Sequence, residues 1–330
     1  MTKITAYSVK DFEKPLYQKL NQDHFELQLI TEPLSVANVT TATGSVGVLI
    51  DGATDANSAL MAALKDAGVK YCFTRFVGYD NIDLPAAAAA GIMVARVPSY
   101  SAYSVGELAM TMGLDLMRHV ANATVNTHGG DFRILPSYFA PEINQLTVGI
   151  IGVGHMGSAE AHLYHALGAK VLGYQRHPND NPDVKFVDET TLLKESDIVS
   201  IHVPYFPGVN DLMIGATEIE HMKPTAILVN TARGPLVDVA AVTEALDYGN
   251  LGGYAADVIT HSSEINGKQF DSLDDLGDQA LLELMKHYPN VLITPHMGYF
   301  TEPATEDMIR ISFANFHEAI TTGQTKNQVK

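Results

Sequence analysis

One stretch constrains the fold of this 330-residue chain more than any other: Gln145 to Gln175, QLTVGIIGVGHMGSAEAHLYHALGAKVLGYQ. Thr147–Ile151 is a short apolar run rich in β-branched residues, the pattern of a strand buried on both faces of a parallel sheet. Gly152, Gly154 and Gly157 follow at G-x-G-x-x-G spacing. A helical stripe of Met156, Ala159, Leu163 and Leu167 then runs to Gly168, and Lys170–Tyr174 reads as a second strand. In this order the first glycine permits a tight turn, the second lets the backbone approach a pyrophosphate, and the third lets helix pack on strand. The helix N-terminus adds unpaired N–H groups and a positive dipole end. The stretch therefore predicts a dinucleotide site, with His155 and Met156 in the first helical turn beside the glycines.

Chains longer than roughly 250–300 residues tend to split into domains, so two are expected. The net charge of −17 argues against nucleic acid and anionic membrane surfaces as partners. It leaves room for an anionic substrate held in a local cationic pocket. The single cysteine, Cys72, lies in the apolar run Tyr71-Cys72-Phe73; it reads as a buried thiol and allows no internal disulfide. The N-terminal MTKITAYSVKDFEK lacks the apolar core of a signal segment, and no stretch is long enough to span a membrane. A cytoplasmic location is expected.

Residues 1–100 read as a small α/β unit, with strands over Thr5–Ser8, Glu26–Leu29, Val46–Ile50, Lys70–Thr74 and Ile92–Val97. Ala59–Leu64 and Pro85–Ala90 are helical in pattern. A long amphipathic helix, Ser101–Val120, carries Val105, Leu108, Met112, Leu116 and Val120 on one stripe, suited to a domain crossing or an oligomer interface. Beyond Gln175, strands over Asp197–Val203, Ala226–Asn230, Gly253–Val258 and Val291–Thr294 alternate with helical segments. That alternation implies a doubly wound parallel sheet. The last helix, Pro303–Ile320, places Ile309, Phe313, Phe316 and Ile320 on one face and is expected to return to the N-terminal unit. The expected class is α/β with two Rossmann-like domains: a discontinuous substrate domain of residues 1–100 and 300–330, and a dinucleotide domain of residues 101–299.

Ligands of open α/β sheets sit beyond the carboxyl ends of the strands, and three candidates fall there: Arg233, Asp257 and His296. An arginine can grip a carboxylate in bidentate fashion and polarise a neighbouring carbonyl. A histidine of near-neutral pKa can exchange a proton with the oxygen at that carbon. With a nicotinamide these groups suffice to interconvert a 2-keto acid and a 2-hydroxy acid. The bland alternatives are an Arg233–Asp238 ion pair and a His296 satisfied within its loop.

Several separated motifs are similar to those of the D-isomer-specific 2-hydroxyacid dehydrogenase family, and particularly to its D-lactate dehydrogenase branch. They are Arg75-Phe76-Val77-Gly78-Tyr79-Asp80-Asn81-Ile82-Asp83, Val97-Pro98-Ser99-Tyr100-Ser101, Val148–Gly157, His202-Val203-Pro204, Asn230–Asp238 and Thr294-Pro295-His296. The resemblance implies that Arg233 grips the keto-acid carboxylate and that His296 is the acid/base. It implies substrate contacts from Phe76, Val77, Gly78 and Tyr100. Val203, Pro204, Thr231, Arg233 and Asp257 would surround the ribose and nicotinamide of the cofactor, and the chain would pair as a homodimer through its nucleotide domain.

Two departures from the family pattern stand out. The glutamate expected five residues after Asp257, which orients the histidine, is Ser262 here; Glu264 lies two residues later and is the candidate replacement. The aspartate that binds the ribose 2′-OH of NAD is replaced by Gln175-Arg176-His177, which favours NADP as an accepted cofactor alongside NAD. His162 and His165 sit three apart on one helix without a third ligand, so no metal is expected. Asp51-Gly52 lacks a bulky aromatic group, which points to room for branched or aromatic keto acids besides pyruvate. The rival readings are a hydroxypyruvate, glyoxylate or 3-phosphoglycerate enzyme on the same scaffold, or a dinucleotide-sensing binding module of corepressor type.

Overall fold

The computed structural model describes residues 1–261 and 265–329. The chain divides into two compact units: Met1–Ser101 joined by the chain from Phe300 onward, and Ala102–Tyr299. In the first unit β1 (Lys3–Ala6), β2 (Glu26–Leu29), β3 (Gly47–Ile50), β4 (Tyr71–Thr74) and β5 (Met93–Ala95) form a sheet in the order β5-β4-β3-β1-β2. Every neighbouring pair among these is parallel. The short strand Gln328–Val329 adds antiparallel at the β5 edge.

Side chains alternate across a strand. Val48, Ile50, Cys72 and Val94 therefore enter one apolar layer, while Leu49, Phe73 and Ala95 enter the other. Helix Ser58–Asp66 completes the first layer with Leu60, Met61 and Leu64. Helix Glu302–Thr322 completes the second with Ile309, Phe313 and Phe316. The Phe316 ring lies 4.5 Å from that of Phe73, and a Cβ on Gly47 would come within 2.5 Å of it. Burying a side chain of this size contributes roughly 1.5–3 kcal/mol, so three of them fasten the C-terminal helix to this unit. Burial also pushes the Cys72 thiol up to about 12, which leaves it unreactive.

The second unit is a seven-stranded sheet made of β6 (Thr147–Ile151), β7 (Lys170–Tyr174), β8 (Lys185–Phe186), β9 (Ile198–Ile201), β10 (Ile227–Asn230), β11 (Gly253–Ala256) and β12 (Val291–Ile293). Its order is β12-β11-β10-β9-β6-β7-β8, with every neighbouring pair parallel. Period-two alternation again builds a layer on each face, with Val148 and Ile150 on one side and Ile151, Val199 and Ile201 on the other. The chain runs outward from β6 in one direction through β7 and β8, then returns to β9 on its other side. That reversal is the switch point at which doubly wound sheets bind ligands.

Two local expectations are corrected. Ser101–Val120 is not one helix: Ala102–Met117 ends, His119 adopts φ 54°, and a second helix runs over Val120–His128. The Asp115 carboxylate accepts from Ala121 N at 2.9 Å and so caps the new start, and Val120 is exposed. The buried face of helix His155–Ala166 is Gly157, Ala159, Glu160, Ala161 and Tyr164, whereas Leu167 is exposed. Helix Ala102–Met117 packs here so closely that a Cβ on Gly106 would lie 2.9 Å from Glu160 N, so small residues, not leucines, define the contact. Strands Lys185–Phe186 and Gln328–Val329 are too short for a hydropathy period to mark them.

Candidate active site

The strands of the second unit end in register. Ile151 pairs with Tyr174 and Ile201, Asn230 with Ile201 and Ala256, and Ala256 with Ile293. The segments that follow these residues therefore leave one edge of the sheet together. They hold Gly152–Gly157, Gln175–His177, His202–Pro204, Thr231–Arg233, Asp257 and Thr294–His296.

At the switch point, Gly152 has φ 94° and donates from its N–H to the Tyr174 carbonyl at 2.9 Å. A Cβ at Gly152 would lie 2.8 Å from Val203 Cγ1, and one at Gly157 only 2.2 Å from the Gly152 carbonyl oxygen. By contrast, a Cβ at Gly154 would meet nothing within 4 Å. Gly152 and Gly157 are thus required by close packing, while Gly154 faces open space at the helix start. No side chain caps that helix, whose first turn holds His155 and Met156, so its N–H groups face the same opening. Thr231 Oγ1 at the end of β10 is buried and has no hydrogen-bond partner among the described residues. An open glycine, an uncapped helix start and an orphaned hydroxyl all fit a bound dinucleotide. Pro204 is exposed, and its carbonyl accepts from Asn210 Nδ2 at 2.8 Å.

Gln175 does not point outward. Its Oε1 accepts from Val153 N at 3.0 Å and its Nε2 donates to the His177 carbonyl at 2.8 Å, so it braces the glycine turn. Arg176 and His177 are exposed, and neither forms an ion pair among the described residues.

Asn230 brackets the turn that presents Arg233: its Oδ1 accepts from Ala232 N at 3.0 Å and its Nδ2 donates to the Arg233 carbonyl at 2.9 Å. The next residue must be glycine, because a Cβ on Gly234 would lie 2.2 Å from the Ile259 carbonyl carbon. Asp238 caps helix Val239–Asp247 through Ala240 N and Ala241 N. Its carboxylate therefore has a role apart from the expected alternative of an ion pair with Arg233.

His296 has φ 58°, an unusual conformation for a non-glycine residue that costs of order 1–3 kcal/mol. The neighbouring strand holds it there. Asp257, buried at the end of β11, accepts from Thr294 Oγ1 at 2.6 Å, Met297 N at 2.8 Å and Gly298 N at 2.7 Å. Hydrogen bonds to a charged group contribute roughly 1.5–3 kcal/mol each, so three of them outweigh the strain. The Asp257 carboxylate, expected beside the cofactor, is thus committed to the His296 loop. Ser104 Oγ also donates to the Gly298 carbonyl. His296 is exposed at the surface of its unit, yet the atoms packed about its ring desolvate the imidazole and hold its pKa below the ordinary value. The charge on Asp257 opposes the shift and that on Arg233 adds to it. Glu264, the candidate partner of His296, lies outside the described residues.

In the first unit, Phe76, Val77 and Gly78 follow the end of β4 and are half-buried. The preceding Arg75 is buried and paired with Glu13 at 2.9 Å, while Arg96 Nη1 donates to the Val77 carbonyl at 2.8 Å. These contacts hold the segment at both ends. The backbone N–H groups of Val77 and Gly78 have no hydrogen-bond partner among the described residues, an arrangement suited to a carboxylate. Tyr100 is half-buried beyond β5. Among the described residues, no group of three or more His, Cys, Asp or Glu could hold a metal; His162 and His165 simply share Asp183 at 2.8 and 3.7 Å. No described helix is long and apolar enough to cross a membrane.

A parallel sheet with this turn at its switch point defines a dinucleotide-binding α/β protein. The sequence profile of the D-isomer specific 2-hydroxyacid dehydrogenase NAD-binding domain matches residues 110–298. A D-lactate dehydrogenase of Lactiplantibacillus plantarum is 34% identical over 99% of both chains. An aromatic 2-oxoacid reductase of Clostridium sporogenes is 33% identical over 99% of this chain and 98% of its own. The crystal structure of a D-isomer-specific 2-hydroxyacid dehydrogenase from Lactobacillus delbrueckii ssp. bulgaricus, in its NAD-complexed form, superposes with a TM-score of 0.85 at 33% identity, covering both chains completely. The chain belongs to the D-isomer-specific 2-hydroxyacid dehydrogenase family, on its D-lactate dehydrogenase-like branch, and is an oxidoreductase with an NAD-binding domain.

Gly157→Ala tests the cradle. The added methyl forces the Gly152 carbonyl to move, and the gain in helix propensity of about 1 kcal/mol cannot offset that. NADH affinity, measured by fluorescence titration, is expected to fall at least tenfold with the helical signal retained; unchanged affinity would separate this turn from cofactor binding.

Proposed function

We propose that this chain reduces a 2-keto acid, pyruvate or a larger analogue, to the D-2-hydroxy acid with a nicotinamide cofactor. One observation carries the reading: Arg233 and His296 leave the ends of β10 and β12 on either side of Asp257, and the charge of Arg233 acts on the imidazole. Relatives named for lactate and for aromatic 2-oxoacids support a keto acid of variable side chain.

Arg233 grips the substrate carboxylate through its guanidinium fork and fixes the angle of the neighbouring carbonyl. Protonated His296 donates to the carbonyl oxygen as negative charge builds there, and becomes neutral. When bound, the nicotinamide supplies the hydride that completes reduction at the same carbon. In the reverse direction neutral His296 accepts the hydroxyl proton. Phe76, Val77, Gly78 and Tyr100 are assigned to substrate binding, with Thr231, Val203 and Pro204 assigned to the cofactor.

Reduction needs the imidazolium, whose pKa burial lowers. The kcat/KM for keto acid is therefore expected to fall as pH rises through a value below 6.5, the ordinary value for histidine. Glu264→Gln shifts that limb lower still if Glu264 supports the imidazolium; an unmoved limb removes Glu264 from the role. His296→Asn lowers kcat by about 10²–10⁴ and Arg233→Gln raises the keto-acid KM. Turnover of no 2-keto acid in a panel that includes pyruvate, hydroxypyruvate and phenylpyruvate would leave the dinucleotide-sensing binding module standing instead.

For the cofactor, NADP is proposed as accepted and favoured. Gln175-Arg176-His177 follow β7 with no carboxylate among them to repel a 2′-phosphate, and exposed Arg176 is available to pair with one. The expected result is a kcat/KM with NADPH at least equal to that with NADH, and a large NADH preference would discard the proposal.

The homodimer is proposed to form through the nucleotide-binding unit, beyond the helix first expected to mediate it. Val120, Val125, Phe132, Ile134 and Phe139 are exposed along helix Val120–His128 and the segment after it, the last two at 93% and 94%. An exposed apolar run of this kind marks an association surface. Sedimentation equilibrium is expected to give a dimer that Ile134→Glu with Phe139→Glu converts to monomer; a monomeric parent chain would refute it.

A further inference from the structure

Helix His155–Ala166 carries a glutamate in the middle of its buried face. Glu160 is fully buried, flanked on that face by Gly157, Ala161 and Tyr164. A carboxylate does not enter such a layer without a partner. Here Oε2 lies 2.5 Å from Nε2 of His202, whose side chain is 1% exposed, and the same nitrogen is 3.2 Å from Ser200 Oγ. The other carboxylate oxygen, Oε1, is buried with no hydrogen-bond partner among the described residues. Among the described residues the Glu160 carboxylate is thus committed to the one contact with His202.

That contact joins two elements that meet at the glycine turn. Glu160 belongs to the helix the turn feeds. His202 follows β9, and its backbone N–H donates to the Ile151 carbonyl at 2.8 Å, directly before Gly152. A Cβ on Gly152 would lie 2.9 Å from the His202 carbonyl carbon, so the His202 main chain is the wall of the turn. Helix Ala102–Met117 packs against the Glu160 backbone at Gly106, where no room remains for a Cβ. Tyr164 is an ionisable neighbour of Glu160; burial and the charge of Glu160 together push its hydroxyl up, so it stays neutral.

We propose that Glu160 and His202 are a positioning pair that fixes the glycine turn against His202-Val203-Pro204 and thereby sets the affinity for the dinucleotide. The inference rests on the dinucleotide reading of that turn. Removing either partner leaves the other buried and uncompensated, so the two losses share one cause and do not add.

Fluorescence titration with NADH tests it on the full-length chain. Glu160→Ala and His202→Ala each raise Kd about tenfold, the double variant raises it no further, and Glu160→Gln, which keeps the shape and one hydrogen bond, falls between. The loss appears in cofactor Kd and KM rather than in kcat at saturating cofactor. Equal NADH affinity in folded Glu160→Gln and the parent, losses that multiply in the double variant, or a fall in melting temperature with no change in Kd would each overturn the inference. Failure of the parent chain itself to bind NADH would remove the dinucleotide reading first.

Discussion

The distance between Gly157 and the Gly152 carbonyl governs much of the second unit. A side chain at 157 would occupy space the carbonyl already fills, so helix and strand can approach only because nothing projects between them. That approach places an uncapped helix start beside the end of β6, at the point where the strand order reverses. Backbone donors and a favourable dipole then meet at one opening without any charged side chain being spent on it.

The proposed chemistry depends on a second kind of constraint, the bracketing of strand-end turns by a buried amide and a buried carboxylate. Asn230 holds both ends of the Arg233 turn, and Asp257 holds the loop on which His296 sits in a strained backbone conformation. Each bracket sits at the end of a strand, and the strands are in register. The rigidity of the sheet is thereby transmitted to side chains that stand outside it. Asp257 also tunes what it holds, since its charge opposes the desolvation of the imidazole.

Much of this arrangement was legible in the sequence. The run Thr147–Ile151, the glycine spacing after it and the repeated strand ends before Arg233 and His296 are local patterns, and local patterns survive in a linear chain. What was not legible depends on side-chain contacts that a hydropathy pattern does not display. The break at His119 follows from the Asp115 side chain capping Ala121, an alternative the apolar stripe could not reveal. The buried face of helix His155–Ala166 is set by contact with Gly106, so Leu163 and Leu167 misled. Asp257 was visible as a strand-end carboxylate, but its commitment to Met297 and Gly298 is a contact across 40 and 41 residues. Glu160 did carry a signal, a lone acid among small residues on a helix that faces a sheet, yet its partner His202 appears only in three dimensions.

The sheet order also separates the two proposed tasks in space. The β7 exit, with Gln175 and Arg176, and the β12 exit, with His296, lie on opposite flanks, with β6, β9, β10 and β11 between them. Residues this far apart and without shared contacts act independently. If the proposed roles hold, coenzyme choice at the β7 exit and proton transfer at the β12 exit can change separately, and the two traits are free to diverge at different rates.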